Sequence, residues 1–161
     1  MARPGSAARL LAALAVISLS QPVRSATDTD VLTVTATVLS ACSLSGGTLT
    51  FGSYASGQTE DADVDGTINY VNCSGTLTFA LDGGGSGNIN ARQMSNGANR
   101  LSYQIYRNAA RNAVWGTGAD AQTQILLETR NGSVTVYGRI PGGQVVPAGT
   151  YTDTVNVTLT F

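Results

Sequence analysis

Two cysteines, Cys42 and Cys73, are the most reactive side chains in a 161-residue chain that contains no histidine. A metal or redox role for them needs partners that are missing, since imidazole ligands are absent and the two thiols are far too widely spaced for a CxxC motif. Nucleophilic catalysis lacks a base as well, because all nine basic residues are arginine and none is lysine. Carboxylates remain. Asp61, Asp63, Asp65, Asp82 and Asp153 are available as acids and bases, but nothing in their spacing selects a pair. The run Asp61-Ala-Asp63-Val-Asp65-Gly66 begins like a calcium loop and then fails, with Asn72 standing where a bidentate Glu is required. An acidic surface loop is the preferred reading. The glycine-rich stretch 83–87 completes neither nucleotide-binding pattern and reads as a flexible turn. No catalytic residue, metal or cofactor is therefore assigned, and the chain is not expected to be an enzyme.

The elements that carry these residues begin with an export signal. Arg3 and Arg9 flank the start of an apolar run over residues 10–19, too short to cross a bilayer as a helix. Val23 and Ser25 suit signal peptidase, which places cleavage after Ser25; a retained amino-terminal anchor is the alternative. The mature chain is then 136 of the 161 residues, enough for one domain. It carries six Arg against ten acids, so nucleic acid is not an expected partner. In an oxidising compartment the two cysteines are expected to pair as a structural disulfide, Cys42 with Cys73, stabilising the fold by roughly 3 to 4 kcal/mol through loop closure. Three sequons, at Asn72, Asn131 and Asn156, are discounted as glycosylation sites.

Apolar residues recur with period two almost throughout the mature chain, between clusters of Gly, Asn, Asp and Ser. This predicts an all-β domain with strands over residues 32–40, 48–54, 66–73, 77–81, 100–106, 122–128, 133–138 and 150–161, and with its longest loops over 55–65 and 82–99. Trp115, Tyr103, Tyr106 and Tyr137 are expected in core or sheet packing.

The two ends of the mature chain stand apart. Leu32, Val34, Ala36 and Val38 share one face of an alternating segment, with Thr33, Thr35 and Thr37 opposite. At the other end Tyr151, Asp153, Val155, Val157, Leu159 and Phe161 share a face of a run that reaches the last residue. An apolar strand with no blunting tail requires a cover, and another strand is the natural one.

A series of short motifs follows in order: Cys42-Ser-Leu, Phe51-Gly-Ser-Tyr54, Tyr70-Val-Asn-Cys73, Ala80-Leu-Asp-Gly-Gly84, Leu101-Ser-Tyr103 with Tyr106-Arg107-Asn108, Val136-Tyr-Gly-Arg-Ile-Pro141 and Pro147-Ala-Gly-Thr-Tyr-Thr-Asp-Thr-Val155. Together they resemble the spore coat protein U domain family, which includes the pilins of archaic chaperone-usher fimbriae, over nearly the whole mature chain. The resemblance implies an incomplete immunoglobulin-like β-sandwich that lacks its last strand and is completed by a donor strand from a neighbouring subunit. On that expectation residues 1–25 are the signal peptide, 26–38 the donor extension and 39–161 the sandwich domain. Leu32, Val34, Ala36 and Val38 are then the donor side chains, and Val155, Val157, Leu159 and Phe161 line the acceptor groove, which a chaperone occupies first. The implied partners are like or related subunits, a periplasmic chaperone and an outer-membrane usher, and the implied destination is the cell surface or an extracellular coat. The implied function is a pilus subunit supporting adhesion or biofilm formation. The alternatives are a spore-coat structural protein and a monomeric secreted binding module, and residues 32–38 used as the chain's own first strand.

Overall fold

Twenty consecutive residues of the chain, Ala62–Leu81, form one strand across a stretch, Asn72-Cys-Ser-Gly75, that reads in sequence as a break. The computed structural model of the protein describes residues 27–38 and 41–161; the expected signal peptide lies outside the described residues. The chain divides into two units, Met1–Thr37 and Val38–Phe161. In the second unit the strands are β1 (Ser43–Thr48), β2 (Ala62–Leu81), β3 (Arg92–Asn96), β4 (Asn99–Tyr106), β5 (Gln122–Ile140) and β6 (Val157–Thr160). All pairings are antiparallel, in the order β1-β2-β5-β4-β3, with β6 on β2.

β2 survives its break because β5 breaks opposite it. Their register shifts on either side of Cys73, Asn72 and Gly75 take positive φ values of 53° and 79°, and the Asn72 amide donates to Asn131 Oδ1 at 2.8 Å. Such a bulge bends both strands and turns one long ribbon into two faces that meet over a common interior. Ile68, Tyr70, Val136 and Ile140 from one half share the core with Leu77, Phe79, Leu81 and Leu126 from the other. The Tyr70 and Phe79 rings span the bend with centroids 5.8 Å apart. At the bend itself the expected disulfide is formed, Cys42 to Cys73 with Cα atoms 4.3 Å apart, tying the chain ahead of β1 to β2. Trp115 is fully buried and donates its indole N–H to Phe79 O at 2.8 Å.

Several boundaries differ from the sequence reading. The expected pairs of strands over 66–73 and 77–81, and over 122–128 and 133–138, are single strands, for the reason just given. The strand expected over 48–54 does not form: β1 lies ahead of it over Ser43–Thr48, where none was expected, and the strand expected over 150–161 is regular only at Val157–Thr160. Residues 49–54 and 153–156 belong to no strand, although both runs alternate. β3 was expected as loop, since its Arg-Gln-Met-Ser-Asn sequence offers one apolar side chain. No strand forms over 32–38; those residues have no regular structure, and residues 39 and 40 lie outside the described residues. A lone edge segment without a partner has no ladder to join, which is the physical reason for its irregularity.

Candidate functional site

The two alternating runs that form no strand are the banks of one groove. Residues 49–54, following β1, supply Leu49, Phe51 and Tyr54 on one side, and the carboxyl-terminal segment supplies Tyr151, Val155 and Val157 on the other. The cavity has a volume of about 890 Å³, and its floor is core, including Leu101, Ile105, Val136 and Ile140. These floor side chains are buried, while the bank residues are only half-buried. That gradient is what an alternating strand shows when the neighbour on one edge is missing. Phe51 packs edge-on to Tyr103, with centroids 5.9 Å apart and the planes at 71°.

Hydrogen bonds hold the carboxyl-terminal bank at two points. Thr152 exchanges both backbone bonds with Ser95 on β3, at 2.8 and 3.1 Å. Asp82, just past β2, accepts from the Asn156 amide at 2.9 Å and from Asn156 Nδ2 at 2.6 Å, and its own amide donates to Asn156 O at 3.1 Å. Between these points Asp153 turns inward. It accepts from Tyr103 Oη at 2.6 Å and from the Gly85 amide at 2.7 Å. The glycine run expected as a flexible turn is therefore an ordered 3-10 turn, Gly84–Ser86, and Gly84 at φ 60° lies so close to Asp153 that a Cβ there would collide with its carboxylate.

Beneath this bank lies Arg92, with no solvent exposure. Its guanidinium donates to Asp82 O at 2.6 and 3.0 Å, to Trp115 O at 2.8 Å and to Gln104 Oε1 at 2.7 Å. It thereby joins the end of β2, the start of β3, β4 and the Trp115 loop. Burial pushes Arg92 below its ordinary pKa, opposed by Tyr103, Asp82 and Asp153. Burial and the bond to Asp153 push the Tyr103 hydroxyl up. Sequence reasoning missed Arg92; its type and its place in a polar stretch gave no signal of burial.

Burial works against the ionised form of Asp82, but the Asn156 side chain, the Gly84 and Asn156 amides and Arg92 outweigh it and hold its pKa below the usual 3.8. The folded-state value is the lower one, so the clasp contributes stability that is complete above the unfolded value and is lost as pH falls through the folded value. Protection of the Asn156 amide, measured against its intrinsic exchange rate, is therefore expected to fall below about pH 3.8 ahead of global unfolding, and an Asp82→Asn variant to show low protection already at neutral pH. Equal Asn156 protection in both proteins at neutral pH would contradict the clasp.

The sequence-derived positions fall as follows. Val155 and Val157 line the groove; Leu159 packs on the core from β6, opposite Phe79. Phe161 lies beyond β6, 56% exposed, and is not part of the groove lining. Leu32, Val34, Ala36 and Val38 are exposed. Asp61, Asp63 and Asp65 are not one loop, because β2 begins at Ala62. Arg139 contacts Asp61 at 3.2 Å and grips Asp63 with two bonds of 2.7 and 2.8 Å, while Arg111 pairs with Asp65 at 2.7 Å. The Arg139 bond and the nearby Arg111 charge hold Asp63 below its ordinary pKa against the effect of burial. The charges that suggested a cation are thus met by arginine, and among the described residues no acidic or cysteine cluster forms a metal site.

The chain is 35% identical over 172 residues to Protein U of Myxococcus xanthus, covering 96% of each. It superposes on a chain of the chaperone and tip adhesion subunit pre-assembly complex, CsuC–CsuE, from archaic chaperone-usher pili of Acinetobacter baumannii, with a TM-score of 0.54 and 27% identity, covering 78% of this chain and 40% of that one. The P pilus rod subunit PapA aligns with a TM-score of 0.49 and 22% identity, over 74% of this chain and 97% of the other. The Spore Coat Protein U domain model matches residues 28–158, and the chain belongs to that family.

Proposed function

We propose that this chain is the structural subunit of an exported surface fibre, in which residues 32–38 of one copy enter the groove of the next. The observation that carries the reading is the match between an open groove with an apolar floor and an alternating apolar segment that joins no strand. Leu32, Val34, Ala36 and Val38 supply one apolar face at the strand period, and the backbone of residues 153–156 offers the edge on which such a segment can pair. Fully burying the larger of these side chains contributes about 1.5 to 3 kcal/mol each. Contact of donor with groove is head-to-tail, does not close on itself and produces a filament.

A chaperone that holds the groove before assembly, an usher that directs the exchange and a destination on the cell surface belong to the same reading, supported by the relatedness to the archaic chaperone-usher complex. A coat built on the same strand exchange is the second reading, favoured by the description of the family, Spore Coat Protein U domain. The mature chain extended past Phe161 by a flexible linker and a second copy of residues 26–38 tests strand exchange. Self-filling of the groove is expected to give a stable monomer where the unextended chain polymerises. An unextended chain that is already a stable monomer, unchanged by the extension, would refute the proposal.

A further inference from the structure

Along the carboxyl-terminal bank the backbone groups point alternately to two sides. Thr152 bonds to Ser95 on β3 and Asn156 to Asp82 beyond β2, so the backbone of these residues faces the existing strands, and that of Tyr151, Asp153, Val155 and Val157 faces the open side. The side chains of the same four residues are half-buried between exposed neighbours and line the cavity. Asp153 is the one carboxylate among them. Its Oδ2 accepts from Tyr103 Oη at 2.6 Å, and its Oδ1 from the Gly85 and Thr154 amides at 2.7 and 2.8 Å. Tyr103 in turn meets the ring of Phe51 edge-on. Phe51 belongs to one bank and Asp153 to the other, so two rings and a carboxylate form a bar across the groove. A strand entering the groove passes over this bar, and a bulky inward side chain at that level has no space to fill.

We propose that Ala36, the one small residue on the apolar face of the donor segment, lies over this bar and sets the register of the exchange, with the donor antiparallel to the bank. The inference rests on the strand exchange proposed above and adds the position at which the donor stops. Antiparallel pairing is the sense of every strand pair in the domain. It sets Val38 opposite Tyr151, Ala36 opposite Asp153, Val34 opposite Val155 and Leu32 opposite Val157. Leu32, the largest donor side chain, then reaches the end of the groove where Val157 pairs with Leu81. A slip of one residue turns the apolar face of the donor outward. A slip of two puts Val34 or Val38 over the bar and overpacks it. A parallel donor with Ala36 over the bar sets Leu32 opposite Gly149 and brings no apolar donor side chain to Val157.

The test compares full mature chains by the rate at which their ladders, resistant to sodium dodecyl sulfate, fall apart to monomer on heating. Ala36→Leu is expected to speed dissociation by roughly tenfold to a hundredfold, or to prevent ladders altogether. Phe51→Ala removes the ring at one end of the bar and opens space at that level. Ala36→Leu combined with Phe51→Ala is therefore expected to dissociate more slowly than Phe51→Ala alone. A general weakening of the fold by either substitution does not produce this reversal of sign. Val34→Leu and Val38→Leu, which lie to either side of the bar, are expected to change the rate by less than Ala36→Leu. Equal rates for Ala36→Leu and the wild type, no reversal in the Phe51→Ala background, or a larger penalty at Val34 or Val38 would overturn the register while leaving strand exchange standing. Wild-type chains that form no ladder would refute strand exchange itself, and the register with it.

Discussion

A Val34→Asp chain is expected to fold and to accept a donor strand but to donate none. The substitution removes about 1.5 to 3 kcal/mol of apolar burial and forces a carboxylate into an apolar groove, or its protonation at a further cost. At about 1.4 kcal/mol per tenfold, the donor's occupancy of the groove falls by several orders of magnitude. The groove of the variant is unaltered, because its lining comes from residues 47–157. Mixed with wild-type chains, the variant therefore adds to one end only and stops growth there. Ladders should shorten progressively as the variant fraction rises, while far-ultraviolet circular dichroism in the presence of wild-type 26–38 peptide stays unchanged. A variant that polymerises like the wild type would place the donor side chains elsewhere.

Replacing Arg92 by Met is expected to cost about 3 to 5 kcal/mol, a large fraction of the 5 to 15 kcal/mol by which ordinary domains are stable. Met fills the space but donates nothing, leaving Asp82 O and Trp115 O buried without the donors that now reach them and Gln104 Oε1 with the Ile105 amide but not the guanidinium. Because Asp82 also clasps Asn156, the loss extends to the groove bank. Arg92→Lys should recover only part of the stability, since an ammonium cannot span three acceptors as the planar guanidinium does. Urea unfolding of peptide-complemented chains measures this. A midpoint within experimental error of the wild type for Arg92→Met would show that the network is not holding these elements.

The fold class was legible because the period-two alternation is strong wherever one face meets the core, as at residues 100–106 and 133–138. Less legible were the two long strands: Asn72-Cys-Ser-Gly75 has turn composition, and only the matching irregularity between Leu126 and Gly132 shows that the chain passes through as a bulge. Arg92 illustrates a different limit. A buried arginine depends on carbonyls brought together from β2, residue 89 and the Trp115 loop, and no local pattern encodes that meeting. Alternation put Val155, Val157 and Phe161 on one face of the terminal run; Val155 and Val157 line the groove, whereas Phe161 extends past the last paired residue, Thr160. The alternation at 49–54 and 153–156 was read as strand, and the absence of ladders there marks the banks of the groove.

The central claim is intermolecular strand exchange, and the most direct test is the size distribution of purified mature protein with and without residues 26–38, by size-exclusion chromatography and negative-stain microscopy. The full chain should form rods and detergent-resistant ladders, and the shortened chain should be unstable until a synthetic 26–38 peptide restores it as a monomer. A shortened chain that is stable without the peptide, together with a full chain that stays monomeric, would contradict the account.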